Sequence, residues 1–426
     1  MIEIIRNPAP ETWKKILQRP CLDNENLDQI VASVLSKVKE GGDKAIKAYE
    51  KEFDNVDLDD LSVSIEEINA CEELIAEDLK SAIRLAIRNI TCFHESQKTE
   101  TTKIETMPGV LCWQKSVGIE KVGLYIPGGT APLFSTVLML AIPAKIAGCK
   151  EIILCSPPNT EGKINPAILF AAKETGINKI FKIGGIQAIA AMAYGTESVP
   201  KVYKIFGPGN QYVTSAKQQV NLKDVAIDMP AGPSEVLVIA DESANPAFVA
   251  ADLLSQAEHG ADSQVILVST SEKVLLNTIN EIEQQLQVLP RKHLASIALT
   301  NSKFILLHSK KEIVELSNTY APEHLIIETE DYSDFADRIL NAGSVFLGHY
   351  SPESAGDYAS GTNHTLPTNA YATAYSGVNL DSFLKKITFQ EISKEGIHNI
   401  GSSIEIMAEH EGLFAHKNAV TLRLKY

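Results

Sequence analysis

The strongest constraint in this chain is an alternation that begins at Lys121. Short β-rich runs are followed by Gly/Pro punctuation and then by helical stretches. Residues 122–126 read as a strand, Pro127-Gly128-Gly129 as a turn and 133–147 as a helix closed by Gly148. The pattern recurs through strands at 151–155, 179–183 and 202–206, with helices over 167–175, from Gly184-Gly185, and after Gly207-Pro208-Gly209-Asn210 through Val220. Such alternation predicts right-handed βαβ crossovers and a parallel sheet. A second set starts at 235–239, with helices over 246–258 and 272–287 and strands near 265–268, 304–307, 325–327 and 344–347. The fold class expected is α/β, with two similar open sheets.

The flanks read differently. Residues 25–118 are expected to be helical, with Ile30, Val31, Val34, Leu35 and Val38 at helical spacing. A Pro-free helical arm is expected over 402–425. Between Gly348 and Leu380 lies a polar stretch without a period of 2 or 3.6, of the length usual for binding or lid segments.

Composition narrows the function classes. With 426 residues, 44% of them hydrophobic, there is material for more than one domain. Lys and Arg total 39 against 54 Asp and Glu, a net charge of −15, which argues against nucleic acid or an acidic membrane as partner. A small molecule is the better expectation. No apolar run approaches the roughly 20 residues of a membrane helix. The opening residues lack a basic stretch followed by an apolar one, so the expected location is the reducing cytoplasm. The six cysteines, at 21, 71, 92, 112, 149 and 155, are never two or three apart, which disfavours both a disulfide framework and a cysteine zinc site. Cys149 and Cys155 raise a separate question, because a thiolate there could attack an aldehyde, although a buried, inert thiol is the commoner fate of such cysteines.

Four patterns carry chemistry. In Leu254-Ser-Gln256-Ala-Glu-His259-Gly260 the amide and imidazole are three apart, a spacing that puts both on one helical face toward a metal, although a histidine in a last turn also simply complements the helix dipole. Asp357 and His364 share one polar loop, and Glu411 and His416 lie in the C-terminal arm; two His, one Asp and an amide oxygen suit Zn²⁺. Pro322-Glu323-His324 sets a carboxylate beside an imidazole just before an apolar strand, a pair able to accept two different protons. Gly128-Gly129 and Gly207-Pro208-Gly209-Asn210 fall between strand and helix, where backbone N–H groups meet phosphates, yet Tyr212 stands where a dinucleotide fingerprint would have its third glycine. A zinc hydrolase, a two-lobed binding protein and a thiol-dependent dehydrogenase all remain open on these patterns alone.

Taken in order, Gly123-Leu-Tyr125-Ile-Pro127-Gly-Gly129, Phe206-Gly-Pro-Gly-Asn210, Asp228-Met-Pro-Ala-Gly-Pro-Ser234-Glu235, Ser255-Gln-Ala-Glu-His259, Pro322-Glu-His324, Ser354-Ala-Gly-Asp357-Tyr-Ala-Ser-Gly-Thr-Asn-His364 and Ala415-His416-Lys-Asn418 resemble histidinol dehydrogenases over essentially the whole chain. That resemblance implies oxidation of L-histidinol through histidinaldehyde to L-histidine with two NAD⁺, the last step of histidine biosynthesis. It implies one zinc per site on Gln256, His259, Asp357 and His416. NAD contacts would fall to Tyr125, Gln187 and Asn210, and substrate contacts to Ser234, His324, Glu411 and the metal ligands. Glu323 and His324 would move protons. It further implies a homodimer exchanging its C-terminal arm over 376–426, and two incomplete Rossmann-like domains. One spans 119–234 on the NAD side; the other joins 25–118 to 235–375 on the zinc and substrate side, after an N-terminal segment over 1–24.

Overall fold

The computed structural model describes residues 2–20, 25–128 and 132–426, so Cys21 and Gly129 lie outside the described residues. Two parallel sheets organise the chain. The five-stranded sheet runs Lys179–Lys182, Glu151–Ser156, Lys121–Tyr125, Lys204–Phe206, Ala226–Ile227. In chain order that is 3-2-1-4-5, the doubly wound arrangement of a mononucleotide-binding half extended by two strands. The six-stranded sheet repeats it: Lys303–Leu306, Gln264–Ser269, Glu235–Ala240, His324–Glu328, Ser344–Leu347 are again 3-2-1-4-5. Its sixth strand, Ile4–Arg6, pairs in parallel with Phe304 to Leu306 at the edge. All the registers within both sheets are parallel, and Glu235–Ala240 and Gln264–Ser269 are buried at every position, as strands covered by helices on both faces must be.

Three expectations about the flanks need correction. The helices Glu25–Phe53 and Glu77–Glu95 do not pack on the 235–375 sheet. Val31, Val34, Leu35, Val38 and Tyr49 share a core with Ile153, Phe181, Ile189 and Met192, while Ile83, Ala86 and Ile90 share one with Val122, Leu138, Leu154 and Phe206. The two helical segments therefore cover opposite faces of the five-stranded sheet. Secondly, the end of the segment expected to be helical is extended: Lys103–Met107 and Val110–Gly118 form an antiparallel sheet with Leu384–Ile392 of the arm. Lys103–Met107 and Leu384–Ile392 are largely exposed and Val110–Gly118 is mostly half-buried, so no buried face imposes an alternation of apolar residues on them. Thirdly, residues 2–20 are not a separate segment, since Ile4 and Trp13 are buried in the cores of the six-stranded unit. The arm is two helices, Lys394–His410 and Phe414–Lys425, broken where Gly412 adopts a φ of 72°.

Candidate active site

The cluster forms at the amino-terminal ends of two central strands of the six-stranded sheet. Ser234 and Glu323 immediately precede Glu235–Ala240 and His324–Glu328, which are neighbours in register. Between these strands the Glu235 N–H donates to Glu323 Oε2 at 3.0 Å. The buried Glu235 carboxylate is held from the other side by Arg19, whose Nη2 donates to Oε1 at 2.8 Å. Helix Pro246–Ala257 returns antiparallel to the strands; Asn245 caps it by accepting from the Ala247 N–H, and Pro246 suits the first turn. Its far end brings Gln256 to the strand starts. His259 lies just beyond the helix, its N–H donating to the Gln256 carbonyl at 3.2 Å, and it is exposed. The polar stretch supplies the remaining side through a short helix, Glu353–Tyr358.

His324 is the centre of this arrangement. Only 4% of it is exposed, and among the described residues neither ring nitrogen has a hydrogen-bond partner. Nδ1 lies 3.7 Å from Glu323 Oε2 and 3.8 Å from Glu353 Oε1, and Nε2 lies 3.9 Å from Asp357 Oδ1. Burial, reinforced by His259, pulls its pKa down to about 3, so the ring is neutral at pH 7. Burial pushes Glu323 and Glu353 well above the usual carboxylate range, and Asp357 up to about 6. Orphaned polar atoms buried this deeply are costly unless a ligand completes them.

A metal fits. His259, Glu353 and Asp357 each present a ligand atom, and these atoms lie within 4.8 Å of one another. The amide of fully buried Gln256 is satisfied in one orientation only: its oxygen accepts from the Glu235 N–H at 2.9 Å and its nitrogen donates to Glu353. Gln256 thus borders the cluster, and Glu353 is a member that sequence reasoning missed. A signal existed, because 353 and 357 are four apart and share a face once the segment is helical. His364 also approaches: its Nδ1 bonds the Asp357 carbonyl at 3.0 Å. Glu411 and His416 do not join the cluster within one chain; both are exposed on the arm.

The residues expected on the NAD side sit at the five-stranded sheet. Tyr125 ends its first strand, and Gly207 to Asn210 follow its fourth, the switch point where nucleotides bind in such sheets. The approach is close enough that a Cβ on Gly207, whose φ is +129°, would lie 2.1 Å from the Tyr125 carbonyl oxygen. Tyr125 Oη accepts from the Gly185 N–H at 3.1 Å. Gln187 is 1% exposed; its nitrogen donates to Glu50 Oε1 at 2.9 Å, and among the described residues its Oε1 has no partner. Glu50, also missed from sequence, accepts from the Gly184 N–H at 3.0 Å as well, and burial pushes its pKa up to about 7. Asn210 uses its amide oxygen to cap Gln211–Asn221, accepting from the Tyr212 and Val213 N–H groups at 3.0 and 3.1 Å. The cysteine route loses support here. Burial raises the Cys149 thiol to about 11 and Cys155 further, so little thiolate exists at neutral pH.

The histidinol dehydrogenase family model matches residues 17–424. The chain belongs to the histidinol dehydrogenase family. It is 65% identical over 424 residues to the histidinol dehydrogenase of Bacteroides thetaiotaomicron, covering 100% of this chain and 99% of that one. It is 53% identical over 417 residues to the histidinol dehydrogenase of Escherichia coli K12, covering 97% of this chain and 95% of that protein. Among solved structures, the histidinol dehydrogenase of Elizabethkingia anophelis superposes with a TM-score of 0.97 at 58% identity, covering 100% of this chain and 98% of that one. The two-sheet α/β architecture is therefore that of the family. No helix of the described residues is long and apolar enough to cross a membrane.

Proposed function

We propose that this protein oxidises L-histidinol through L-histidinaldehyde to L-histidine, reducing two NAD⁺. The observation that carries this reading is buried, neutral His324 with two unpartnered nitrogens, set against Glu323 and the His259–Glu353–Asp357 corner. Gln256, His259, Asp357 and His416 are the residues we assign to Zn²⁺, with Gln256 giving up its present hydrogen bonds. Those residues would hold the ion, which would supply a Lewis-acid anchor that orients the substrate. Ser234 and Glu411 would hold the remaining polar groups of the substrate. On the other sheet, Tyr125, Gln187 and the Asn210 amide nitrogen are assigned to NAD⁺.

His324 is neutral, so it can take the hydroxyl proton as hydride leaves the carbinol carbon for the first NAD⁺. Ionising any carboxyl around the ring raises its proton affinity by Coulomb attraction in a dry site. Burial pushes the Glu323 carboxyl well above the usual carboxylate range; once its proton has passed to solvent, the same burial makes the carboxylate a strong base towards water. That base takes a proton from the water that attacks the aldehyde carbon. Once His324 has released the proton of the first step to solvent, the resulting hydrate anion passes its second hydride to a fresh NAD⁺ and its hydroxyl proton to the ring, leaving the carboxylate of histidine.

His259 is exposed, and so are Glu411, His416 and the apolar Met407 and Phe414 of the arm. These support a homodimer in which arms exchange, bringing His416 and Glu411 to the open side of the partner's site. Incubation with L-histidinol and NAD⁺ tests the function. We expect two NADH per histidine and little free aldehyde. One NADH per substrate, capture of most aldehyde by an added amine, or turnover without NAD⁺ as for a zinc hydrolase would overturn it.

A further inference from the structure

His364 has no place in the proton transfers above, yet its two ring nitrogens are fully committed. Nδ1 lies 3.0 Å from the Asp357 carbonyl oxygen, which can only accept, so Nδ1 carries the proton. In the neutral ring Nε2 then accepts, and its partner at 3.1 Å is the Thr136 hydroxyl. A histidine engaged at both nitrogens is not a free metal ligand. It is a spacer of fixed tautomer between a hydroxyl and the backbone of an expected zinc ligand.

The two ends of that spacer belong to different sheets. Thr136 is buried in helix Phe134–Ile146, which packs on the five-stranded sheet, whereas Asp357 stands over the starts of the six-stranded sheet. Neighbouring contacts run the same way. Asn363 Nδ2 donates to the Met139 carbonyl at 2.6 Å, and Asn89 Nδ2, from helix Glu77–Glu95, donates to the Ala359 carbonyl at 2.8 Å. The segment behind Asp357 is thus pinned at three points to helices of the other unit.

We propose that Thr136 and His364 form a strut through which the NAD-side unit positions the Asp357 carboxylate for zinc, with Thr136 a positioning residue rather than a ligand. This rests on the zinc reading above. Contacts that orient a metal ligand are typically worth 10- to 100-fold in metal affinity, and a strut acting through a carbonyl should sit near the lower end, about 10-fold.

The test is zinc affinity of the full chain by competition with a chromophoric chelator, together with the visible absorption of the Co²⁺-substituted protein. Thr136→Val keeps the shape and removes the donor; it should weaken zinc about 10-fold and shift the cobalt bands, while Thr136→Ser restores both. His364→Phe keeps a ring and drops both bonds, and should lose at least as much, which covers the case in which Thr136→Val fails to fold. Wild-type affinity and cobalt bands in Thr136→Val, or in His364→Phe, would overturn the strut. Failure of Thr136→Ser to rescue would do the same, since packing of the methyl group would then explain the loss. A wild-type chain that binds no zinc would instead sink the zinc reading, and the strut with it.

Discussion

Replacing Glu323 by glutamine separates the two half-reactions. The substitution keeps the side-chain shape, and the amide oxygen can still accept from the Glu235 N–H that now lies 3.0 Å from the carboxyl. Glu323 Oε2 is 3.7 Å from His324 Nδ1, too far for a hydrogen bond to the ring. Burial favours the uncharged form of this carboxyl, which a neutral amide resembles, so the surroundings of His324 change little. Alcohol oxidation should therefore change by no more than about 1 kcal/mol, the scale of one adjusted hydrogen bond, or roughly 5-fold in rate. Attack of water on the aldehyde loses its general base. That loss is typically 10²- to 10⁴-fold, about 3 to 5 kcal/mol. Single-turnover NADH absorbance with L-histidinol, compared with L-histidinaldehyde supplied directly, reads the two steps apart. A fast first NADH followed by stalled aldehyde is expected. Equal losses on both substrates would refute the division of labour between Glu323 and His324.

Chelation should abolish turnover and added Zn²⁺ restore it, with far-UV circular dichroism unchanged, because the cores on both sheets contain no metal-dependent element; unfolding on chelation would make the ion structural. His259→Ala and His416→Ala homodimers should each be inactive, whereas refolding them together should recover up to about one intact site per heterodimer if the arm is donated in trans. No recovery, once mass spectrometry has shown heterodimers, would place the arm in cis. Glu50→Gln weakens the anchor that fixes Gln187, so KM for NAD⁺ should rise several-fold while kcat and KM for histidinol hold; a change confined to kcat would remove Glu50 from the NAD side.

The sequence by itself determined the repeated βαβ pattern, and with it two open parallel sheets, because strand and helix periods are local properties of the chain. It also determined which candidate pairs lie side by side. Glu323-His324 and Gln256-x-x-His259 are adjacent or nearly so, and a strand start or helix end places such neighbours together without help from the rest of the molecule. What periodicity cannot encode is the partner of an apolar face. The stripe from Leu27 to Val38 fits any sheet, and only packing chose the five-stranded one. The exposed strand over 103–107 had no pattern to read, since its structure comes from pairing in the antiparallel sheet and not from a buried face. The site followed the same division. Glu353, Glu50 and Thr136 carry no signature as single residues, and each is placed by a partner distant in sequence. Tertiary structure also decided which end of the six-stranded sheet holds the cluster. Helix Pro246–Ala257 must return antiparallel to its strand, and that return sets Gln256 and His259 over the strand starts, where unpaired N–H groups such as that of Glu235 are free to hold carboxylates.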